Sequence, residues 1–181
     1  MDCPPPEERF YQNMLGLSHL IYDLVDSAYK KEYRIVKPSL VELATTILSS
    51  YPKRKLIENF ISYSHEHWDE IRERKEKFFE EHAVSIFSDL PLNNVNAFRE
   101  LFQLQDKNGE PVIKQEDRDA IWDFFQAFVK ISIHYIHQNR QPTVVTDPDG
   151  NKVPVYTRKF FEEVDLERHA NLWGVKRRFE C

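Results

Sequence analysis

Seven histidines give this 181-residue chain its most obvious capacity for chemistry. His65 and His67 flank Glu66, and His134 and His137 lie three residues apart. Imidazole nitrogens and carboxylate oxygens hold zinc-type ions, which need four ligands, or three and a water. Residues two apart on a helix face different directions, so His65 and His67 are not expected to share an ion. His134 and His137 can converge, and they mark where an enzymatic or metal-dependent site would lie. Neither pair has further ligands at matching spacing. His-Glu-x-x-His is absent, and so is the repeated Glu-x-x-His of di-iron bundles. Ordinary surface or half-buried histidines are therefore expected, with no metal and no cofactor.

Other catalytic readings fail on their own chemistry. Asp106-Lys107-Asn108-Gly109-Glu110 superficially imitates a calcium loop between helices. Its sixth position is Pro111 where glycine makes the sharp turn, and its twelfth is Asp117 where glutamate closes the shell. A connecting turn is the better reading, and Asp147-Pro148-Asp149-Gly150 matches no better. No Gly-x-Ser-x-Gly elbow and no phosphate loop occur. Ser64 stands next to His65, but a dyad needs a base oriented by a third group. Cys3 and Cys181 sit at opposite ends of the chain, which is no disulfide framework, and a reducing, intracellular setting follows as the expectation. The chain reads as non-enzymatic, with no small-molecule ligand identifiable.

Charge narrows the partners. The formal net charge of −5 disfavours non-specific binding to nucleic acid or anionic membranes. Lys53-Arg54-Lys55 and Arg72-Glu73-Arg74-Lys75-Glu76-Lys77 are basic islands, the second interleaved with carboxylates that suit helix salt bridges. Lys176-Arg177-Arg178, beside Trp173 and Phe179, is the fairer nucleic-acid candidate, although a mobile tail is commoner. No run approaches the roughly 20 apolar residues that span a bilayer, and residues 1–8 lack the pattern of a secretory signal.

The elements that would position any site are mostly helices. Only four glycines are present, too few for the turns of a many-stranded sandwich or barrel. Phe10, Met14, Leu17, Ile21, Leu24 and Ala28 draw one stripe down a first helix, which Gly16 weakens slightly. Ser39 with Glu42 fits a capping box for a second helix carrying Leu40, Leu43, Ala44, Ile47 and Leu48. The longest region runs from Pro52 to about Ser88 and carries Leu56, Ile57, Phe60, Ile61, Trp68, Ile71, Phe78, Phe79, Ile86 and Phe87. A break near Ser62–Ser64 is allowed by serine's local hydrogen bonding, and the charged middle, His65 to Lys77, is expected to face solvent. Asn93 or Asn94 can cap a short helix carrying Val95, Phe98, Leu101 and Phe102. Gln115 to Gln138 reads as the central core helix, with Ile121, Trp122, Phe124, Phe125, Phe128, Ile131, Tyr135 and Ile136. Thr143–Thr146 and Lys152–Thr157 flank a Gly-containing turn and read as a β-hairpin, whose Pro154 confines the second strand to an edge. The tail adds one more helix through Phe160, Phe161, Val164 and Leu166.

Leu56-Ile57-Glu58-Asn59-Phe60-Ile61, continued by His67-Trp68-Asp69-Glu70-Ile71 and Phe78-Phe79, resembles helical proteins encoded by large double-stranded DNA viruses. So does Asp119-Ala120-Ile121-Trp122-Asp123-Phe124-Phe125, with Val129-Lys130-Ile131-Ser132-Ile133 after it. The likeness covers about half the chain and lies in the hydrophobic pattern. It implies a helical viral protein and carries over no site residues. With no secretory signal and no spanning run, an intracellular place, cytoplasmic, nuclear or virion-associated, is the expectation.

The resulting expectation is a mainly α fold, an irregular bundle of about five to six helices with a C-terminal β-hairpin and tail. A Pro-rich leader spans 1–9, the helical domain 10–140, and the hairpin and arm 141–181. The arm is rich in Tyr156, Phe160, Phe161, Trp173, Arg177 and Phe179, residue types favoured as interface anchors. Such residues either reach a neighbouring chain or fold back on their own helices, and the second is commoner. The role expected is a non-enzymatic protein-binding or assembly subunit that meets a protein partner or itself.

Overall fold

The computed structural model describes residues 3–86 and 95–176. Helix α1, Pro6–Lys30, starts on a proline whose missing N–H costs nothing at the first position, with Glu7 and Glu8 against the positive end of the helix. Its buried stripe is Phe10, Met14, Leu17, Ile21, Val25 and Ala28, so Val25 takes the inward place expected of Leu24. Helix α2, Pro38–Ser49, begins two residues earlier than the capping box requires. Pro38 is the first helical residue and Lys37 the cap, so Ser39 lies inside the first turn and caps nothing. Pro38 presets the helical φ and lacks one of the N–H groups that a cap would have to satisfy.

The long third region is not one helix. Helix α3, Lys53–Ser64, passes through a 3₁₀ turn at His65–His67 into α4, Trp68–Arg72. Ser64 is fully buried and accepts a 3.0 Å hydrogen bond from the Trp68 indole N–H. That bond fixes the break just past the serines. After α4 the chain reverses at Arg74, whose φ of 52° is left-handed. Its guanidinium reaches Asp119, Asp123 and Gln126, while the Gln126 amide donates to the carbonyls of Ile71 and Arg72. Helices α5, Lys77–Glu81, and α6, Ala83–Ile86, follow. The middle of the region does not simply face solvent: Trp68 and Ile71 are fully buried. Charges crowd the sequence there, but they occupy only the outer side of each short turn.

Helix α7, Val95–Gln103, leads to a turn in which the Asp106 carboxylate accepts from the backbone N–H groups of Asn108 and Glu110. The expected caps, Asn93 and Asn94, lie outside the described residues, as does Phe87. Helix α8, Gln115–Asn139, is buried on all sides from Ile131 to Ile136, which makes it the central element. Its most extensive packing is against α1. Gly16 permits that approach, because a Cβ there would meet the Phe124 ring at 3.0 Å. Phe10, Phe60 and Phe128 join α1, α3 and α8 with ring centroids 4.8 to 5.6 Å apart. Phe78, Phe79, Trp122 and Phe125 form a second aromatic layer. The fold is thus mainly α, with one antiparallel hairpin near the C-terminus.

Strands β1, Thr143–Thr146, and β2, Lys152–Val155, make that hairpin. The tail forms two short helices instead of one: α9, Phe160–Glu163, and α10, Leu166–Leu172. Val164 is extended between them, and Asp165 caps α10 by accepting from the Arg168 N–H. Cys3 is disulfide-bonded, against the expectation of a reducing setting in which the two terminal cysteines form no disulfide framework. Cys181, the other cysteine of the sequence, lies outside the described residues. Cysteine usage therefore no longer argues for a reducing compartment. No helix among the described residues is long and apolar enough to cross a membrane.

Candidate functional site

The hairpin is the least covered part of the structure. All eight strand residues are exposed. Val144, Val145, Val153 and Val155 keep 61%, 40%, 39% and 48% of their surface in contact with solvent. The register pairs Thr143 with Val155, Val144 with Pro154, Val145 with Val153, and Thr146 with Lys152. Val145, Val153 and Val155 therefore share one face with Thr143, and Val144 lies on the other face beside Pro154.

The turn fixes both the register and the free edge. Asp147 Oδ1 accepts from the N–H groups of Asp149 and Asn151, and Gly150 supplies a φ of 86°. Hydrogen bonds from Asn151 chiefly hold the Asp147 carboxyl below its ordinary range, against a smaller opposing effect of burial. The Asp147 N–H donates to the Asn151 carbonyl at 2.9 Å. Counting back from that bonded pair, Val145–Val153 is again bonded, whereas Thr146–Lys152 and Val144–Pro154 point their backbone polar groups outward. Pro154 has no N–H, so the outer edge of β2 is interrupted. The outer edge of β1 presents the N–H and C=O of Val144 and Thr146.

The body holds both roots of the hairpin. At the exit from α8, the Arg140 guanidinium lies 5.6 Å from the Tyr156 ring centroid. On the other side, Arg158 Nε donates to Glu58 Oε2 at 3.1 Å. Glu58 is buried, and its other oxygen accepts from the Tyr135 hydroxyl at 2.6 Å and from Arg54 Nε at 3.1 Å. Burial pushes the Glu58 carboxyl up, but bonds from Tyr135, Arg54 and Arg158 together outweigh it and leave it below the usual carboxylate range. Burial first, and the Glu58 carboxylate second, raise the Tyr135 phenol well above its ordinary value.

The arm residues nominated from sequence separate into three groups. Phe160, Phe161 and Trp173 are 3%, 1% and 8% exposed and fill the chain's own core. Tyr156 is half-buried under Arg140. Arg177 and Phe179 lie outside the described residues. The aromatic arm thus folds back over the helices, and the valines between its roots remain uncovered. Sequence reading placed the hairpin and nominated Tyr156 at its end, but singled out none of its valines. The signal available was the clustering of Val144, Val145, Val153 and Val155 in two short runs that present apolar side chains on both faces.

The histidines rearrange as well. His134 is buried, with Nε2 at 3.4 Å from the Lys176 carbonyl oxygen. Burial chiefly drives its pKa down to about 4, and the charge of Arg9 acts in the same direction. His137 lines an open cleft of about 900 Å³ with Arg140, Glu167 and Lys176. His65 and His67 diverge as the spacing predicts: His65 approaches Glu163 at 3.5 Å, and His67 approaches Glu70 at 3.2 Å. His67 then stacks on His82, with ring centroids 3.8 Å apart and planes 18° apart. Among the described residues, His67, Glu70 and His82 form the one group of three whose potential ligand atoms could hold a metal, all within 4.8 Å of one another.

Most cations of the two inner basic islands are matched by carboxylates, and Lys55 lies over the Tyr51 ring. Lys53 pairs with Glu8, Arg54 with Glu58, Arg74 with Asp119 and Asp123, and Lys75 with Glu73. Comparison with models of protein families, with curated proteins and with solved structures finds no match to this chain.

Proposed function

We propose that the protein is a non-enzymatic helical subunit that binds protein, with the hairpin from Thr143 to Val155 as its contact. The exposure of all eight strand residues carries the reading. A two-stranded hairpin is marginal in water by itself, and four uncovered valines add to its need for a cover. An extended segment of a partner can pair with the outer edge of β1, using the backbone of Val144 and Thr146 for affinity and the valines for side-chain contact. The interruption at Pro154 directs pairing to one side and blocks open-ended growth from the other. A viral assembly role, suggested by the hydrophobic pattern from Leu56 to Ile61 and from Asp119 to Phe125, belongs to the same proposal.

The test replaces residues 143–155 by a short Gly-Ser connection and compares both proteins by light scattering and by cross-linking of the native complex. The expected result is an unchanged helical spectrum with loss of the assembled species. Equal masses and equal cross-linked partners for the two proteins would refute the proposal.

A further inference from the structure

We propose that His67, Glu70 and His82 form a site for a divalent transition-metal ion of the zinc class, independent of the hairpin. His67 ends the 3₁₀ turn, and Glu70 follows one turn later in α4. His82 closes α5 from 15 positions away, and the left-handed reversal at Arg74 brings it back onto His67. None of the three is on a loose loop. The His82 N–H donates to the Phe78 carbonyl at 2.9 Å, and the His82 carbonyl accepts from Ser85 and Ile86. Phe78, fully buried, lies with its ring centroid 6.2 Å from each imidazole.

The donor set is two imidazoles and one carboxylate, which is the three-ligand complement of a zinc ion that keeps an open fourth position. Hard oxygen-seeking ions such as calcium and magnesium are poorly served by two nitrogens. A tetrahedral ion with bonds of about 2.0–2.1 Å separates its ligand atoms by roughly 3.3 Å. The three donors begin within 4.8 Å, and closure takes up to about 1.5 Å per pair through side-chain rotation that unstacks the His67 and His82 rings so that both nitrogens point at one ion. All three side chains are half-buried, enough to restrict their rotamers while leaving an entry path. Glu81 stands 3.6 Å from His82 and adds negative charge beside the site. An ion here would tie α4 to the α5–α6 corner across the Arg74 reversal.

The experiment titrates ZnCl₂ into the full chain, previously dialysed against a chelator, by calorimetry, with CoCl₂ as the spectroscopic probe. One equivalent of zinc is expected, and cobalt should give the intense visible bands of a four-coordinate ion. His82→Gln and Glu70→Gln should each weaken zinc at least about tenfold. His19→Gln, at a histidine remote from the triad, should change nothing. Absence of saturable binding to the wild-type chain would overturn the proposal. So would equal affinity in the Glu70→Gln and wild-type proteins, or an effect of His19→Gln as large as that of His82→Gln. Should His82→Gln lose its helical spectrum, the cobalt bands of the wild type and the Glu70→Gln affinity decide alone.

Discussion

Mild acid should destabilise this fold through His134 before any carboxylate contributes. The imidazole is buried and its pKa falls from an ordinary 6.5 to about 4 in the folded chain. A lowered histidine pKa means that the unfolded chain binds the proton and the folded one does not. The neutral form's advantage is intact above pH 6.5 and is lost progressively as the pH falls toward 4. At pH 5 the cost is about 2 kcal/mol, against roughly 0.2 kcal/mol at pH 7. Glu58 and Asp69, whose pKa values are lowered, act in the same direction but in a lower window, losing their contribution as the pH falls through and below the ordinary carboxylate range. The assay is urea unfolding at pH 7 and pH 5 for the wild type and His134→Gln, in which the amide can still donate to the Lys176 carbonyl. With a urea slope of about 2 kcal/mol per molar, the wild-type midpoint should fall about 1 M further than the variant's. His169, also lowered chiefly by burial, adds the same trend to both proteins and cancels in the comparison. Parallel pH dependence in the two proteins would refute the reasoning.

Two further substitutions test how the arm is fastened. Glu58→Ala leaves the Tyr135 hydroxyl without its carboxylate acceptor and removes the partner of two arginines; because Arg54 and Arg158 are themselves largely exposed, thermal unfolding should show a loss of about 2 kcal/mol, nearer a lost hydrogen-bond partner than a fully buried ion pair. A melting temperature within error of the wild type would show that the bonds around Glu58 contribute nothing net. Trp173→Ala should cost about 3–5 kcal/mol, as for any large buried aromatic, and should do so equally in dilute and concentrated protein. A cost that appears only at high concentration would place Trp173 in an interface between copies instead of in its own core.

The helices were legible because their signal is local. The stripe of α1 and the dense apolar run of α8 repeat at helical spacing, and Pro38 and Pro52 mark starts that any helix must respect. The breaks in the third region were harder, because they depend on tertiary partners. The sequence shows serines at 62 and 64, and Trp68 bonding Ser64 is a local contact, but Gln126 covering the carbonyls of Ile71 and Arg72 joins positions more than 50 residues apart. The metal-binding group was missed for the same reason. Spacing correctly separated His65 from His67, but nothing local joins His67 to His82 across a reversal made by a non-glycine residue at positive φ. Fold-back of Phe160, Phe161 and Trp173 and exposure of the valines could be weighed from composition but not decided by it.

How the hairpin is rooted bears directly on its proposed work. A free two-stranded ribbon would sample many orientations, and ordering it on binding would subtract from affinity. Here one root leaves the central helix beside Arg140 and Tyr156, and the other returns through Arg158 to the buried Glu58. Two residues beyond Arg158, Phe160 and Phe161 enter the core. The chain therefore fixes the direction of the hairpin before any partner arrives, while Asp147 fixes its register. That combination separates two effects in mutants. Loosening the root, as in Glu58→Ala, should slow or weaken association without touching any contacting valine. Replacing Val145 and Val153 by threonine should weaken it with no change in the stability of the helices. If the root variant bound as tightly as the wild type while the valine variant did not, the contact would stand and its preorganisation would not.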